Sequence, residues 1–361
     1  MKEELKVKEN NHKQGNYKRY IRKKFLIAVI LSIAIIALTI VAINAGSTDL
    51  GIYEVLMSIL GRGTSASSVV IWRIRLPRII GAIVAGAGLA VAGCVMQNNL
   101  RNPLASPSTL GISNAAAFGA NIAIVLLGAG STRSSAADAV IINNPYMVTI
   151  AAFLSSVAAM MVILALAKSK GFSPESIVLA GVALSSLFTA GTTLIQYFAD
   201  DVQVAAAVFW TFGDLGRVSW KEVIIMTIII ILALIYFMFR RWDYNALDSG
   251  EESAQSLGVN VEKVRFGGML VSSVVTAVTV SFLGIIGFIG LIAPQIVRRV
   301  IGGDHRFLIP ISALMGSVIL LVADTIARTL IAPVILPVGA ITSFLGAPLF
   351  LYLLLKGEKR R

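Results

Sequence analysis

The sequence predicts an all-α integral membrane protein with ten crossings. Three observations carry that prediction: charge is scarce, apolar runs of bilayer length recur, and basic residues fall between alternate runs. Of the 361 residues, 57% are hydrophobic and 14% charged, and the mean hydropathy is +0.83. Soluble domains carry roughly 25% charged residues, so this chain could not cover a water-facing surface and needs lipid as solvent. The net charge is +12. Its cations sit in short clusters between apolar runs rather than along a groove, which fits membrane topology and leaves no expected nucleic-acid partner. The single cysteine, Cys94, lies within an apolar run and is expected to be packing material.

The elements follow in order. Residues 1–24 form a basic tail, with Lys18, Arg19, Arg22, Lys23 and Lys24 beside the first apolar run. That run, Phe25 to Ile43, is long enough to span and too long for a signal-peptide core. Further spans are expected at 76–98, 108–128, 147–167, 175–199, 221–239, 267–288, 308–328 and 338–355. Arg101, Lys168, Lys170, Arg240, Arg241, Lys263, Arg265, Arg298, Arg299 and the tail Lys356 to Arg361 then mark the cytoplasmic side, so both termini are inside. Between Arg265 and Arg298 lie 32 residues, too few for two full crossings of about 20 residues each. The chain is therefore expected to cross and return by a short eighth helix. Gly284, Gly287, Gly290 and Pro294 supply the break. Residues 25–361 make one membrane domain. Small residues in "GAIVAGAGLAVAGCVMQ" (81–97) predict close helix packing.

No catalytic or metal constellation is present. The chain contains no G-x-x-x-x-G-K-[ST] phosphate loop, no H-E-x-x-H and no G-x-S-x-G, and His12 and His305 lie in different loops. No enzyme activity, metal or cofactor is expected of this chain itself. No acid sits mid-span, which argues against coupling to a proton or sodium gradient.

The block "RLPRIIGAIVAGAGLAVAGCVMQNNLRNPLASPSTLGIS" (75–113) resembles the signature of the FecCD family. "LAGVAL" (179–184), "FWTFGDLGRVSW" (209–220), "ESAQSLGV" (252–259) and the block from "GFIGLIAPQIVRR" onward agree in order. These are permeases of ATP-binding cassette (ABC) importers for ferric siderophores, haem and cobalamin. The resemblance runs from about Phe25 to the C-terminus. It implies the ten-helix type II importer permease fold in the cell membrane, and pairing with a second permease copy or a paralogue. It also implies two ATPase subunits that use the ATP, and an extracytoplasmic binding protein or lipoprotein. Transport would proceed by alternating access. The reading from a different class is a stand-alone secondary transporter or channel, which would transport without an ATPase.

The resemblance also assigns residues. Arg75, Arg78 and Arg328 break the positive-inside trend at the outer ends of spans, and would pair with carboxylates of the binding protein; Asp324, one turn before Arg328, could orient it. Asn102, Pro103 and Leu104 would form a cytoplasmic gate, with the turn Phe172–Glu175, Ser173 included, as its opposite wall. The loop 248–264 is expected to hold a short helix from Glu251 to Leu257, capped by Ser249 and ended by Gly258. By resemblance it is the coupling element that inserts into the ATPase, with Glu251, Ala254, Leu257 and Gly258 matching the pattern. Met96, Gln97, Asn114 and Gln196 are the polar or soft groups expected along the translocation path. Asp304 is expected to cap a helix, with His305 structural.

Overall fold

The computed structural model describes residues 2–45, 52–129, 144–169 and 173–355. Lys170, Phe172 and the tail Lys356 to Arg361 lie outside the described residues. Among the described residues the chain is helical, and the only extended pairing is an isolated bridge between Ile331 and Val334. The helices are α1 (Lys2–Asn44), α2 (Ile52–Ile59), α3 (Ser65–Val69), α4 (Leu76–Asn99), α5 (Ile112–Asn121), α6 (Pro145–Ser169), α7 (Pro174–Tyr197) and α8 (Asp201–Thr211). They continue with α9 (Trp220–Phe239), α10 (Arg241–Asp248), α11 (Glu251–Ser256), α12 (Val261–Leu283), α13 (Ile289–Ile301), α14 (His305–Thr329) and α15 (Val338–Leu355). Among the described residues seven helical rods are long and apolar enough to cross a membrane, and two apolar helices, Ile112–Leu126 and Val338–Tyr352, are shorter.

Local chemistry sets where the rods begin. Ser173 accepts from the Ser176 amide and Pro174 follows at the first helical position, so α7 starts there. Reciprocal capping boxes, Asp200 with Gln203 and Ser219 with Glu222, start α8 and α9. Asn260 caps α12, and Asp304 caps α14 as expected. A π-helical turn, Val70–Arg75, joins α3 to α4, so the second apolar rod runs from Ser65, further than the apolar count alone predicted.

The expected break is present. The chain leaves α12 at Gly284 with φ +77°, and Phe288 adopts φ +65°, a left-handed position that is rare for a bulky residue. The 13-residue α13 then follows. Around 248–264 the expectation needs correcting. Ser249 ends α10 and does not cap α11, whose N-cap is Gly250 at φ +121°. Leu257 is the C-cap of α11, and Gly258 follows at φ +84°. Neither α8 nor α10 was expected.

Helix α4 is the centre of the bundle. Its glycines bring neighbouring backbones into contact. A Cβ on Gly86 would overlap the Gly316 carbonyl of α14, and one on Gly93 would overlap the Gly290 carbonyl of α13. Ser317 Oγ adds a 2.7 Å bond to the Ile83 carbonyl. At these places small residues replace side-chain packing with backbone approach. Helices α1 and α7 are the least enclosed of the long rods.

Candidate functional site

One end of the bundle carries Arg101, Arg240, Arg241, Arg265 and Arg298, and is called here the basic end. The three expected docking arginines gather at the opposite end.

At the basic end, α4 stops at Asn99 and the chain turns back through residues 100–111. Arg101 takes φ +45°, and Asn102 Oδ1 accepts from the Leu104 amide at 2.9 Å, closing a tight turn. Leu104 is exposed. The turn is held from behind by Gln295 of α13, whose Nε2 lies 3.4 Å from the Pro103 carbonyl and 2.8 Å from Gln97 Oε1. A cavity of about 370 Å³ opens beside it, lined by Leu100, Arg101, Ser173, Pro174, Glu175, Glu251 and Arg265. The end of α4, the start of α7 and the start of α11 therefore share one cavity. Ser173 faces it, whereas the half-buried Asn102 and the exposed Pro103 and Leu104 are not part of its lining.

Helix α11 has two sides. Ala254 is fully buried beneath it, and Leu257 is 71% exposed at its end. Glu251 turns inward: its carboxylate receives both guanidinium nitrogens of Arg265, at 2.9 and 3.3 Å. The bidentate geometry makes this a strong, directional contact. Arg265 is 2% exposed, and its Nε donates to the Asn99 carbonyl at 3.1 Å. Further links tie α4 to α10. Asn98 Nδ2 donates to Asp248 at 2.7 Å and to the Tyr244 carbonyl at 3.1 Å, and Arg101 donates to the Leu247 carbonyl at 3.2 Å. The α10–α11 segment is thus bolted to the end of α4. Nearby, Asp304 is anchored by Arg306, Lys24 and Asn245. Burial alone would raise its pKa, but the bonds from Arg306 and Asn245 outweigh that and hold it down at about 2. A folded-state pKa below the ordinary carboxylate value stabilises the fold above that ordinary value. This contribution, checked by thermal melts across pH, is expected to fade between about pH 4 and pH 2 and to be missing in Asp304→Asn.

At the opposite end, Arg75, Arg78 and Arg328 are 4%, 5% and 6% exposed. The structure gives them internal partners rather than an open surface. Asp324, fully buried, accepts from Arg78 Nε at 2.7 Å and from Arg328 Nε at 3.0 Å. Arg78 also approaches Asp214 at 3.5 Å. Arg328 donates to the carbonyls of Ala42 and Ala45, and Arg75 to those of Ile43 and Asn44. Two arginines from distant elements thus cap the C-terminus of α1, where orphan carbonyls and the negative end of the helix dipole meet. The orienting role expected of Asp324 matches this geometry, and the Arg78 contact is an addition to it.

The expected path residues divide into two pairs. Asn114 and Gln196 sit where α5 meets the open face of α7: Asn114 Nδ2 lies 3.4 Å from Thr189 Oγ1, and Gln196 donates to Asn121 at 3.0 Å. That face also exposes Ser186, Thr189 and Thr193, each of whose hydroxyls donates to the carbonyl four residues earlier. Met96 and Gln97 are enclosed instead. Met96 is fully buried among Leu100, Leu110, Met160 and Met269, and Gln97 donates to the Gly290 and Leu291 carbonyls at 3.2 Å. Met96 thus packs between α4, α6 and α12, and Gln97 belongs to the α4–α13 contact beside the Gly93–Gly290 approach. Arg265, the pivot of the basic-end cluster, appeared in the sequence only as an orientation marker. Its partner Glu251 is fourteen residues away, and no sequence pattern pairs them.

Rods of membrane length around a central helix, with a short helical loop bolted to that helix, define a multi-span membrane bundle. The chain belongs to the FecCD transport family, which it matches over residues 33–356. It is 62% identical over 315 residues to an ABC transporter permease protein of Methanocaldococcus jannaschii, covering 87% of this chain and 90% of that one. It is 36% identical to the hemin transport system permease protein of Yersinia pestis, covering 88% and 92%. Among solved structures it is similar to a metal-chelate type ABC transporter in an inward-facing conformation. There the TM-score is 0.78 at 28% identity, covering 92% of this chain and all of the other.

Proposed function

We propose that the chain is the permease half of an ATP-driven importer that brings an iron chelate, haem or a cobalamin-type cargo into the cytoplasm. The short helices at 112–126, 289–301 and 338–355 complete a ten-crossing bundle with the seven longer rods. The basic end is cytoplasmic and both termini lie there. A second copy or a paralogue covers the open face of α7, and its hydroxyls together with Asn114 and Gln196 line the path between the two subunits. Two ATPase subunits bind the 248–264 loops, and a binding protein delivers cargo to the opposite end. Docking there engages the Arg75–Arg78–Arg328 region; the exposed Asp214 beside Arg78 makes that surface mixed in charge. The Asn102–Leu104 turn and the Ser173 turn form the cytoplasmic gate. Relatives whose names specify hemin or metal chelates support the cargo class.

The observation that carries the reading is the two-sidedness of α11: Leu257 is presented outward while Glu251 and Ala254 face the bundle. A short helix anchored on one side and apolar at its tip fits a partner cleft. Leu257→Asp is expected to leave the permease folded, since an exposed position tolerates a charge. It should weaken ATPase association about tenfold to a hundredfold, the effect of losing a buried leucine contact of about 1.5–3 kcal/mol. Co-purification of the ATPase with wild-type and variant permease measures this; undiminished association in the variant would remove the coupling assignment.

A further inference from the structure

Resting on the reading above, we propose that Arg265 is the positioning residue that carries movement of α11 to the cytoplasmic gate. Its guanidinium joins three elements. It belongs to α12, grips Glu251 of α11 with two nitrogens, and holds the carbonyl of Asn99, the last residue of α4, with the third. The Asn102–Leu104 turn begins three residues beyond that carbonyl.

The flanking backbone lets α11 move as a unit. The six residues of α11 and its C-cap Leu257 lie between Gly250 at φ +121° and Gly258 at φ +84°, positions that suit glycine. A helix this short has little stability of its own and is held by its contacts. Its inward attachments are Ala254 and the Glu251–Arg265 pair. Glu251 is 39% exposed along its side chain and Arg265 only 2%, and both border the cavity. A cation this deeply buried is costly to leave without its carboxylate, so displacement of Glu251 draws the guanidinium with it. The same guanidinium holds Asn99, so the end of α4 follows. The cavity of about 370 Å³ supplies the room for that motion, and Ser173 lies on its far wall. The other charges facing the cavity, Arg101 and Glu175, sit on the two walls that would move relative to each other.

The test uses the full permease co-purified with its ATPase in proteoliposomes. Ser173→Cys reports the gate through its labelling rate with a charged maleimide; native Cys94 is fully buried and silent. With otherwise native sequence, the rate is expected to differ about tenfold between nucleotide-free and ATP–vanadate-trapped complex, the size of an ordinary coupling between sites. In Arg265→Gln the ATPase should still assemble, but the ratio should fall to near one. Glu251→Gln, scored per assembled complex, should do the same, and Arg265→Lys should fall between. A merely structural role would lower the melting temperature and leave the ratio intact. If the ratio persists in Arg265→Gln, or in Glu251→Gln where Arg265→Gln fails to accumulate, the proposal is wrong. If instead the ATPase does not associate, or the ratio is already one without these substitutions, it is the underlying permease reading that fails.

Discussion

Gly93→Ala is expected to be among the most damaging single-methyl changes in the protein. The added Cβ would overlap the carbonyl carbon, the oxygen and the Cα of Gly290. Those are backbone atoms, so no flexible side chain can yield; α4 and α13 must separate. Overpacking typically costs about 1–3 kcal/mol, and a rigid obstacle puts this case at the upper end. Separation would also stretch the Gln97 bonds to Gly290 and Leu291, which depend on the same approach. The fitting control is Gly287→Ala, whose Cβ would meet Ser343 Oγ at an ordinary 3.4 Å. Heating solubilised protein with a thiol-reactive dye, which reads exposure of Cys94, should show a clearly lower midpoint for Gly93→Ala and little change for Gly287→Ala. Equal midpoints would mean that the α4–α13 contact is looser than described.

The second large effect is expected at Asp324. This carboxylate is fully buried and answers two guanidiniums that are themselves 6% exposed along their side chains. Asp324→Ala leaves both cations enclosed. Breaking a buried pair by removing one partner costs about 3–5 kcal/mol, because a charge is stranded without water. Arg328 and Arg75 also hold the last carbonyls of α1, so the damage should spread to the α1 contact. Removing the whole charge cluster, Arg78→Met with Asp324→Leu and Arg328→Met, should recover a substantial part of the loss, since apolar replacements of buried ion networks are often near neutral. The same melting assay separates the two variants. A milder single than triple variant would contradict this account of the cluster.

Much of the fold was legible because membrane spans write themselves in composition. The expected spans at 147–167, 221–239 and 308–328 fall inside α6, α9 and α14 with only a few residues to spare. The break before α13 was legible from Gly284 and from the shortage of residues between Arg265 and Arg298. Helices α8 and α10 were not legible: they are short, and they lie between spans where hydropathy offers no guide. The site was legible in part. Asp324 and Arg328 stand one turn apart, and that spacing foretold their contact. The partnership of Arg78 with Asp324 crosses 246 residues, and that of Arg265 with Glu251 depends on how α12 lies against α11. Neither follows from local pattern. For the same reason the sequence placed Arg75, Arg78 and Arg328 at an open surface, whereas the end of α1 takes up Arg75 and Arg328, and Asp324 takes up Arg78. Met96 and Gln97 were expected along a path because polar or soft groups at depth attract that reading; in the structure Met96 packs among Leu100, Leu110, Met160 and Met269, and Gln97 bonds the carbonyls of Gly290 and Leu291.

The central claim is that this chain moves cargo with energy taken from another subunit. Proteoliposomes containing the permease alone, and the permease with its ATPase, loaded inside or outside with ATP and presented with binding protein carrying a radiolabelled ferric chelate, test it directly. Uptake is expected only where ATPase, ATP and the loaded binding protein are together, and it should be indifferent to imposed proton or sodium gradients. Uptake by the permease alone, driven by such a gradient, would contradict the account.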